Sequence, residues 1–249
     1  MPMPSVADHY QKLLSEHYIW MFGVPFEEKV AEQLALLERV LSALKPVPHG
    51  PALDLGSGPG FQSIALAGLG FSPVIAVDTS PELLAELKAR SASYTIETRI
   101  ADIATLDAID LPAPPTMAVC MGDTLTHLGS LQEVEKLFAA VFNKLVAEGV
   151  FILTWRDLSG ELVGTDRFLS VRSDDHKIMT RFLEYENGDS VVVHDLLHIR
   201  QLNGWTLDKS SYRKLRLSSE WVAAALRNAG FSVDLQELGR MSLIAARKR

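Results

Sequence analysis

Val30, Leu34, Leu37, Leu41 and Leu44 recur at alternating steps of four and three, a spacing that gathers apolar side chains into one stripe of a helix. Glu27 and Glu28 fall in its first turn, at the positive end of the helix dipole, and Pro46 and Pro48 end it. Short apolar runs then alternate with helical patterns. "ALDLG" reads as a strand followed by a helix from about Phe61. "PVIAVD" reads as a second strand, followed by "SPELLAELKARSA", where Ser80 suits the cap and Pro81 the first helical position. "YTIETRIAD" is a third strand. Past the proline-rich "LPAPP" come the strand "TMAVCM", the helix "LQEVEKLFAAVFNKL" and the strand "GVFILTW". Alternation on this scale predicts a parallel sheet with helices on both faces.

After Trp155 the rhythm changes. "DRFLSVR" and "HKIMTRFLEYE" lead to Asn187-Gly188, then "SVVVHDLLHIRQL" leads to Asn203-Gly204 and "WTLDKSSYRKLRL". Asn-Gly between β-rich runs is a strong hairpin signal because both central positions of the favoured turn need positive φ. Two in succession predict an antiparallel meander from about 165 to 217. The earlier pattern resumes with the helix "SSEWVAAALRNAG" and the strands "FSVDLQEL" and "SLIAARK". The expected architecture is a doubly wound α/β sheet carrying an antiparallel insertion after its fifth strand. Such sheets bind ligands beyond the carboxyl ends of their strands, where the insertion begins, so the insertion is expected to roof the site.

Composition narrows the partners. The 249 residues carry 31 acids against 24 lysines and arginines, a net charge of −7, with no basic run interleaved with aromatics. That surface repels phosphate backbones, and no nucleic-acid partner is expected. Cys120 is the only cysteine and lies in an apolar run, which excludes a disulfide framework and a cysteine metal cluster and reads as a buried strand thiol. "MPMPSVADHY" has neither a basic head nor an apolar signal core, and no apolar run approaches the roughly 20 residues of a membrane span. A soluble, cytoplasmic protein without a membrane partner is expected.

The chemistry sits in the turn after the first strand. A dinucleotide fold wants G-x-G-x-x-G, but the third position here is Phe61, and there is no phosphate-loop lysine motif. The pattern is Asp54-x-Gly56-x-Gly58-x-Gly60. It resembles motif I of the class I S-adenosylmethionine-dependent methyltransferases. "VIAVDTS", "RIADIATL", "AVCMGDTLTHL" and "GVFILTW" look like the family's second to fifth motifs in order, and "LRNAGFSVDLQELGRMSLIAARK" is similar to its closing helix and reversed strand pair. The resemblance implies a Rossmann-like seven-stranded sheet with the last strand antiparallel, and S-adenosylmethionine as cofactor. The organisation expected is an N-terminal lid and helix over 1–48, a cofactor-binding domain over 49–160 and 218–249, and an antiparallel β cap over 161–217.

In this reading Gly56, Gly58 and Gly60 let the backbone approach the methionine part of the cofactor, since they carry no Cβ. Asp78, with Thr79 beside it, closes the second strand, where a carboxylate can accept both ribose hydroxyls. The resemblance puts the adenine beside Asp102 and Ile103, and Met121 and Gly122 against the cofactor's centre. An acid after a strand is also a common cap or turn former, the competing reading of Asp78 and Asp102 taken singly. His127 is the candidate base, with Asp123 one helical turn before it and on the same side if that segment is helical. In "HYIWMFG" the residues Tyr18, Trp20 and Phe22 share a face if the stretch is extended. The resemblance makes this a lid in which Tyr18 meets the cofactor and Trp20 the acceptor; the alternative is a staple between a helix and a sheet. "HDLLH" lacks the helical context of a zinc site, so no metal is expected. As a strand it aligns His194, Leu196, His198 and Arg200 on one face, either solvent-facing or lining the acceptor pocket. Arg156, Tyr212 and Arg213 are further pocket candidates, and inward arginines would imply an acidic acceptor.

The activity expected is methyl transfer to a small molecule, most like the N-methyltransferases of glycine, sarcosine or amino sugars. A non-catalytic cofactor-binding regulator and an NAD-dependent oxidoreductase are the alternatives; the second fails at Phe61. The acceptor and the choice between monomer and homo-oligomer stay open.

Overall fold

The computed structural model describes residues 5–249. Along the chain run α1 (Val6–His9), a π-helical turn (Tyr10–Leu14), a 3₁₀ turn (Ser15–His17), α2 (Tyr18–Phe22) and α3 (Phe26–Ala43). Then come β1 (Ala52–Leu55), α4 (Phe61–Gly68), β2 (Val74–Asp78), α5 (Pro81–Arg90), β3 (Ile96–Ile100), a 3₁₀ segment (Ile103–Ala108) and β4 (Met117–Cys120). A 3₁₀ turn (Thr124–His127), α6 (Leu131–Lys144) and β5 (Val150–Trp155) follow. The later elements are β6 (Phe168–Ser173), β7 (Lys177–Asn187), β8 (Ser190–Gln201), β9 (Gly204–Leu215), α7 (Ser219–Asn228), β10 (Phe231–Glu237) and β11 (Ser242–Lys248). Contacts divide the chain into two units: the described residues up to Pro25 with Leu158–Arg216, and Phe26–Asp157 with Leu217–Arg249.

The larger unit holds a seven-stranded sheet in the order β10-β11-β5-β4-β1-β2-β3. Neighbours among β1 to β5 are parallel, and β11 runs antiparallel to both β5 and β10. The strands read as unbroken apolar runs because both faces are covered: β1, β4 and β5 are buried at every position. The stripe of α3 packs on this core through Leu34, Leu37, Leu41 and Leu44. Ser80 caps α5 by accepting from the Leu83 amide, as the Ser-Pro pair predicts. Cys120 is buried, and burial pushes its thiol pKa up. β1 lies between β2 and β4, so the connections leave it in opposite directions and open a crevice at the carboxyl ends of β1 and β4.

The smaller unit is the expected meander, in the order β6-β7-β8-β9 with every pair antiparallel. The turns differ from the expectation. Asn187 pairs with Ser190 and Gln201 with Gly204, so the two-residue connections are Gly188-Asp189 and Leu202-Asn203. Each Asn-Gly lies one residue out of register with its turn, and neither asparagine has positive φ. The register follows the buried row Val191, Val193 and Leu197 on β8, because a slip of one residue would turn that row outward.

The N-terminal segment is also corrected. The expected lid and helix over 1–48 is divided: α1 and α2 group with the meander and α3 with the seven-stranded sheet. "HYIWMFG" is helical, and Gly23 ends α2 in a left-handed conformation with φ +78°. Tyr18 and Phe22 are therefore one turn apart, edge to face at 5.2 Å, while Trp20 points elsewhere. The Trp20 ring packs with Leu13, Leu14, Met179 and Leu197, and its indole N–H donates to Asp174. Within this unit Trp20 is a staple. No helix among the described residues is long and apolar enough to cross a membrane.

Candidate active site

The glycine turn hangs from β2. Gly56 N and Ser57 N both donate to Val77 O, at 2.8 and 3.0 Å. Asp78, the last residue of β2, draws the turn in: Oδ2 accepts from Gly58 N at 2.8 Å and Oδ1 from Ser80 N at 2.9 Å. Burial raises the Asp78 pKa against the lowering effect of these amide bonds. Each oxygen still has a lone pair to offer, so the carboxylate can hold the turn and accept hydroxyls as well. Thr79 is exposed beside it.

Two of the glycines are also required by the protein's own packing. Gly56 has φ +74°, and a Cβ there would collide with the Thr124 side chain; at Gly60, φ +96°, it would collide with Leu87. Both positions need glycine because the protein itself fills the space. Thr124 Oγ1 lies 3.4 Å from Gly56 O and 3.3 Å from Met121 O, tying the loop after β1 to the loop after β4. The open position is Gly122, φ +80°, where an added Cβ would meet nothing within 4 Å. Ser57 Oγ, inside the turn, is buried without a hydrogen-bond partner among the described residues. A buried hydroxyl without a partner marks a position where a polar ligand atom is wanted.

Asp54 stands behind the turn. It is 1 % exposed, and Ser63 Oγ donates to it at 2.6 Å. Burial, with Asp78 adding to it and Ser63 opposing it, pushes its pKa up to about 7. Through Ser63 it ties β1 to α4. Because its folded pKa lies above its ordinary 3.8, the folded state holds the proton longer, and Asp54 costs stability progressively as pH rises from about 4 to about 7. Asp54→Asn is expected to flatten that decline by a few kcal/mol; denaturant unfolding at pH 5 and pH 8 checks it, and parallel profiles would refute it.

Asp102 is exposed and caps the 3₁₀ segment by accepting from Ala104 N at 2.9 Å, while Ile103 is 7 % exposed. Beyond β4, Met121 is buried and Gly122 N donates to Thr154 Oγ1 at 2.8 Å. Asp123 Oδ1 accepts from Arg156 N at 3.1 Å and Oδ2 faces Arg156 Nη1 at 3.3 Å. Its carboxylate thus holds the arginine that follows β5. Asp123 and His127 do not share a side. The turn Thr124–His127 is 3₁₀, so residues four apart lie about 120° apart around the axis instead of one above the other. His127 is half-buried at the end of that turn.

The remaining expected residues lie in the smaller unit. His194, His198 and Arg200 alternate along β8 as a strand requires. His194 Nε2 lies 2.8 Å from Glu184 Oε2, Arg200 stacks over Trp205 at 5.9 Å, and Arg213 donates twice to Glu186 at 2.9 and 2.7 Å. His194 and Arg213 thus pair with carboxylates across the strands, whereas His198 Nδ1 is buried and meets no hydrogen-bond partner among the described residues. Tyr212 points to the other face, 1 % exposed and stacked on His9 at 4.2 Å. His9, Asp195 and Arg181 form a buried ionic cluster there that the sequence reading passed over. The available signal was Asp195 itself, an acid in the inward row of Val191, Val193 and Leu197.

Residues 52–149 match the family model of a methyltransferase domain. The glycine/sarcosine N-methyltransferase of Parasynechococcus marenigrum (strain WH8102) is 29% identical over 164 residues, 64% of this chain and 56% of that protein. The chain thus spans little more than half the length of that curated relative. Among solved structures, an S-adenosylmethionine-dependent methyltransferase from Clostridium acetobutylicum ATCC 824 superposes with TM-score 0.73 at 18% identity, covering 97% of this chain and 96% of the other. An amino pentose methyltransferase from Micromonospora echinaspora, solved with S-adenosylmethionine bound, gives 0.71 at 19% identity over 94% and 96%. At these identities the likeness establishes the fold.

Proposed function

We propose that this chain, whose residues 52–149 match the family model of a methyltransferase domain, is a class I S-adenosylmethionine-dependent methyltransferase that moves a methyl group to nitrogen on a small soluble acceptor. The observation that carries the reading is the turn at the β1/β4 crevice: Asp78 at its edge, the buried Ser57 hydroxyl without a partner inside it, and open space over Gly122. When bound, the cofactor supplies a methyl group already activated by the positive charge of its sulfonium. Asp78 accepts the ribose hydroxyls, Ser57 Oγ donates to the same ligand, and Asp102 with Ile103 receives the base. Nitrogen is supported by the relative named as a glycine/sarcosine N-methyltransferase.

What the protein must then do is align the acceptor and exclude water. Orientation supplies roughly 7–11 kcal/mol in such reactions, and a positioned base typically about 10²–10⁴-fold. Positioning is the larger contribution. In this reading Arg156, held by Asp123, would grip an acidic group on the acceptor, and His127 would take the proton an amine releases. Incubation with methyl-labelled donor and a small-metabolite pool is expected to yield a labelled product carrying the methyl on nitrogen. Donor binding with no labelled product would leave a non-catalytic regulator instead. His127→Ala is expected to slow turnover by about tenfold to a hundredfold, at or below the low end for a base because amines bring their own lone pair. Its donor affinity should be unchanged; a wild-type rate would reduce His127 to a wall.

A further inference from the structure

Arg172 is a half-buried cation to which no carboxylate comes. It lies on β6, where the pairing with β7 shifts: Ser170 faces Thr180, but Arg172 faces Met179, so Val171 is an extra residue in the strand. Such a bulge re-aims the side chain that follows it. Met179 is opposite Leu197 on the sheet face that Leu13, Leu14 and Trp20 cover, and the bulge turns Arg172 toward that face. Its guanidinium carbon sits 5.5 Å from the centroid of the Trp20 ring. Nη1 rests against Gly23, where any Cβ would collide with it. Glycine at 23 therefore serves two ends, the left-handed close of α2 and the room for this guanidinium.

The packing positions the group without satisfying it. Nε is buried and meets no acceptor, and no described residue forms an ion pair with Arg172. Asp174 is two residues away, but its oxygens accept from the Trp20 indole and from the His176 and Lys177 amides. A second cation shares the same indole: Lys177 Nζ also lies 5.5 Å from its centroid. Lys177 Nζ lies 3.2 Å from His17 Nδ1, and burial together with the Lys177 charge lowers the His17 pKa against the opposing charges of Glu16 and Asp208. Two cations thus flank one indole while the nearby carboxylate is turned to backbone and indole N–H groups. With Nη1 against Gly23, Nε with Nη2 is the edge that no described residue engages, and in guanidinium groups this is the edge that grips two oxygens of one anion in parallel.

We infer that Arg172 and Lys177 form an oxyanion-binding site beside Trp20, which takes the carboxylate or phosphate group of a small molecule. Arg172 supplies the two-pronged contact and Lys177 a point charge, while Trp20 holds both in place. The site is built from residues of the smaller unit alone and is independent of methyl transfer.

The test titrates the whole chain with acetate and with methyl phosphate at constant ionic strength, chloride making up the balance. It follows the arginine Nε–H resonances by nitrogen-15 NMR. One resonance, absent in Arg172→Met, is expected to shift saturably, and the anion that saturates it at lower concentration names the class. Arg172→Lys keeps the charge but loses the fork and should weaken binding about tenfold or more. Lys177→Gln, a half-exposed and milder change, should weaken it by a smaller factor. A wild-type protein in which neither anion shifts the resonance beyond what chloride does would overturn the proposal. So would equal binding in wild type, Arg172→Lys and Lys177→Gln.

Discussion

Replacing Asp195 with alanine is expected to lower the unfolding free energy by about 3–5 kcal/mol, the range for breaking a buried ion pair by removing one partner. Asp195 is 0 % exposed and lies directly across from Arg181, which is 7 % exposed. The two meet as a fork, Nε to Oδ1 at 2.7 Å and Nη2 to Oδ2 at 3.0 Å. His9 Nε2 reaches Oδ2 from α1 at 3.1 Å, so the same carboxylate docks the N-terminal segment on the meander. Alanine would leave a buried guanidinium facing the space where its carboxylate had been. Asp195→Asn, which keeps the shape, should cost less. Exchanging Asp195 and Arg181 together for apolar residues of similar volume should recover most of the loss, because the desolvation cost of both ions disappears. Denaturant unfolding reads all three, and an alanine loss below about 1 kcal/mol would show that the pair is not the anchor. The pH dependence has a definite sign. Burial works to raise the Asp195 pKa, but the His9 hydrogen bond and the Arg181 charge more than reverse it, so it lies below the ordinary 3.8. Its contribution is complete above that value and is lost as pH falls through the lower folded one.

Asp78→Ala is expected to raise the dissociation constant for S-adenosylmethionine by about 10²-fold or more. Hydrogen bonds to a charged group contribute about 1.5–3 kcal/mol each, and two hydroxyls give at least about 3 kcal/mol. The change also frees Gly58 N and Ser80 N, which Asp78 holds at 2.8 and 2.9 Å, so the turn loses its anchor along with its acceptor. Asp78→Asn separates the two effects. One amide oxygen can still hold an amide of the turn, and an intermediate loss is expected. Calorimetry with S-adenosylmethionine and with its demethylated product measures both variants, and an unchanged constant in Asp78→Ala would refute the ribose role. Heat from NAD with silence from the other two ligands would remove the methyltransferase reading altogether.

Much of the frame was legible in the chain. The strands β1, β2, β4 and β5 are apolar runs of four to six residues, and the stripe on α3 needs only the 3.6-residue period to be seen. Asp78 was found because it closes a strand in a recognisable place. What was missed shares a different character. Arg247, 1 % exposed, donates to Asp234, Glu148 O and Lys45 O, three partners scattered over 200 residues of sequence. The pairing of Asp123 with Arg156 crosses from one strand end to the next. Gly56 was recognised as necessary, but its packing against a threonine 68 positions away was not.

By itself the sequence determined the periodicities, the order of strands and helices, and the place of the glycine turn, because these depend on residues within a few positions of one another. Tertiary structure alone decided which charged groups are buried and with whom, that α2 is helical and staples Trp20 to the meander, and that a 3₁₀ turn parts Asp123 from His127. Those outcomes come from packing between segments distant in sequence, where burial and hydrogen bonding choose the partner; local spacing hints at a buried residue, as with Asp195 in the inward row of β8, but does not name its partner.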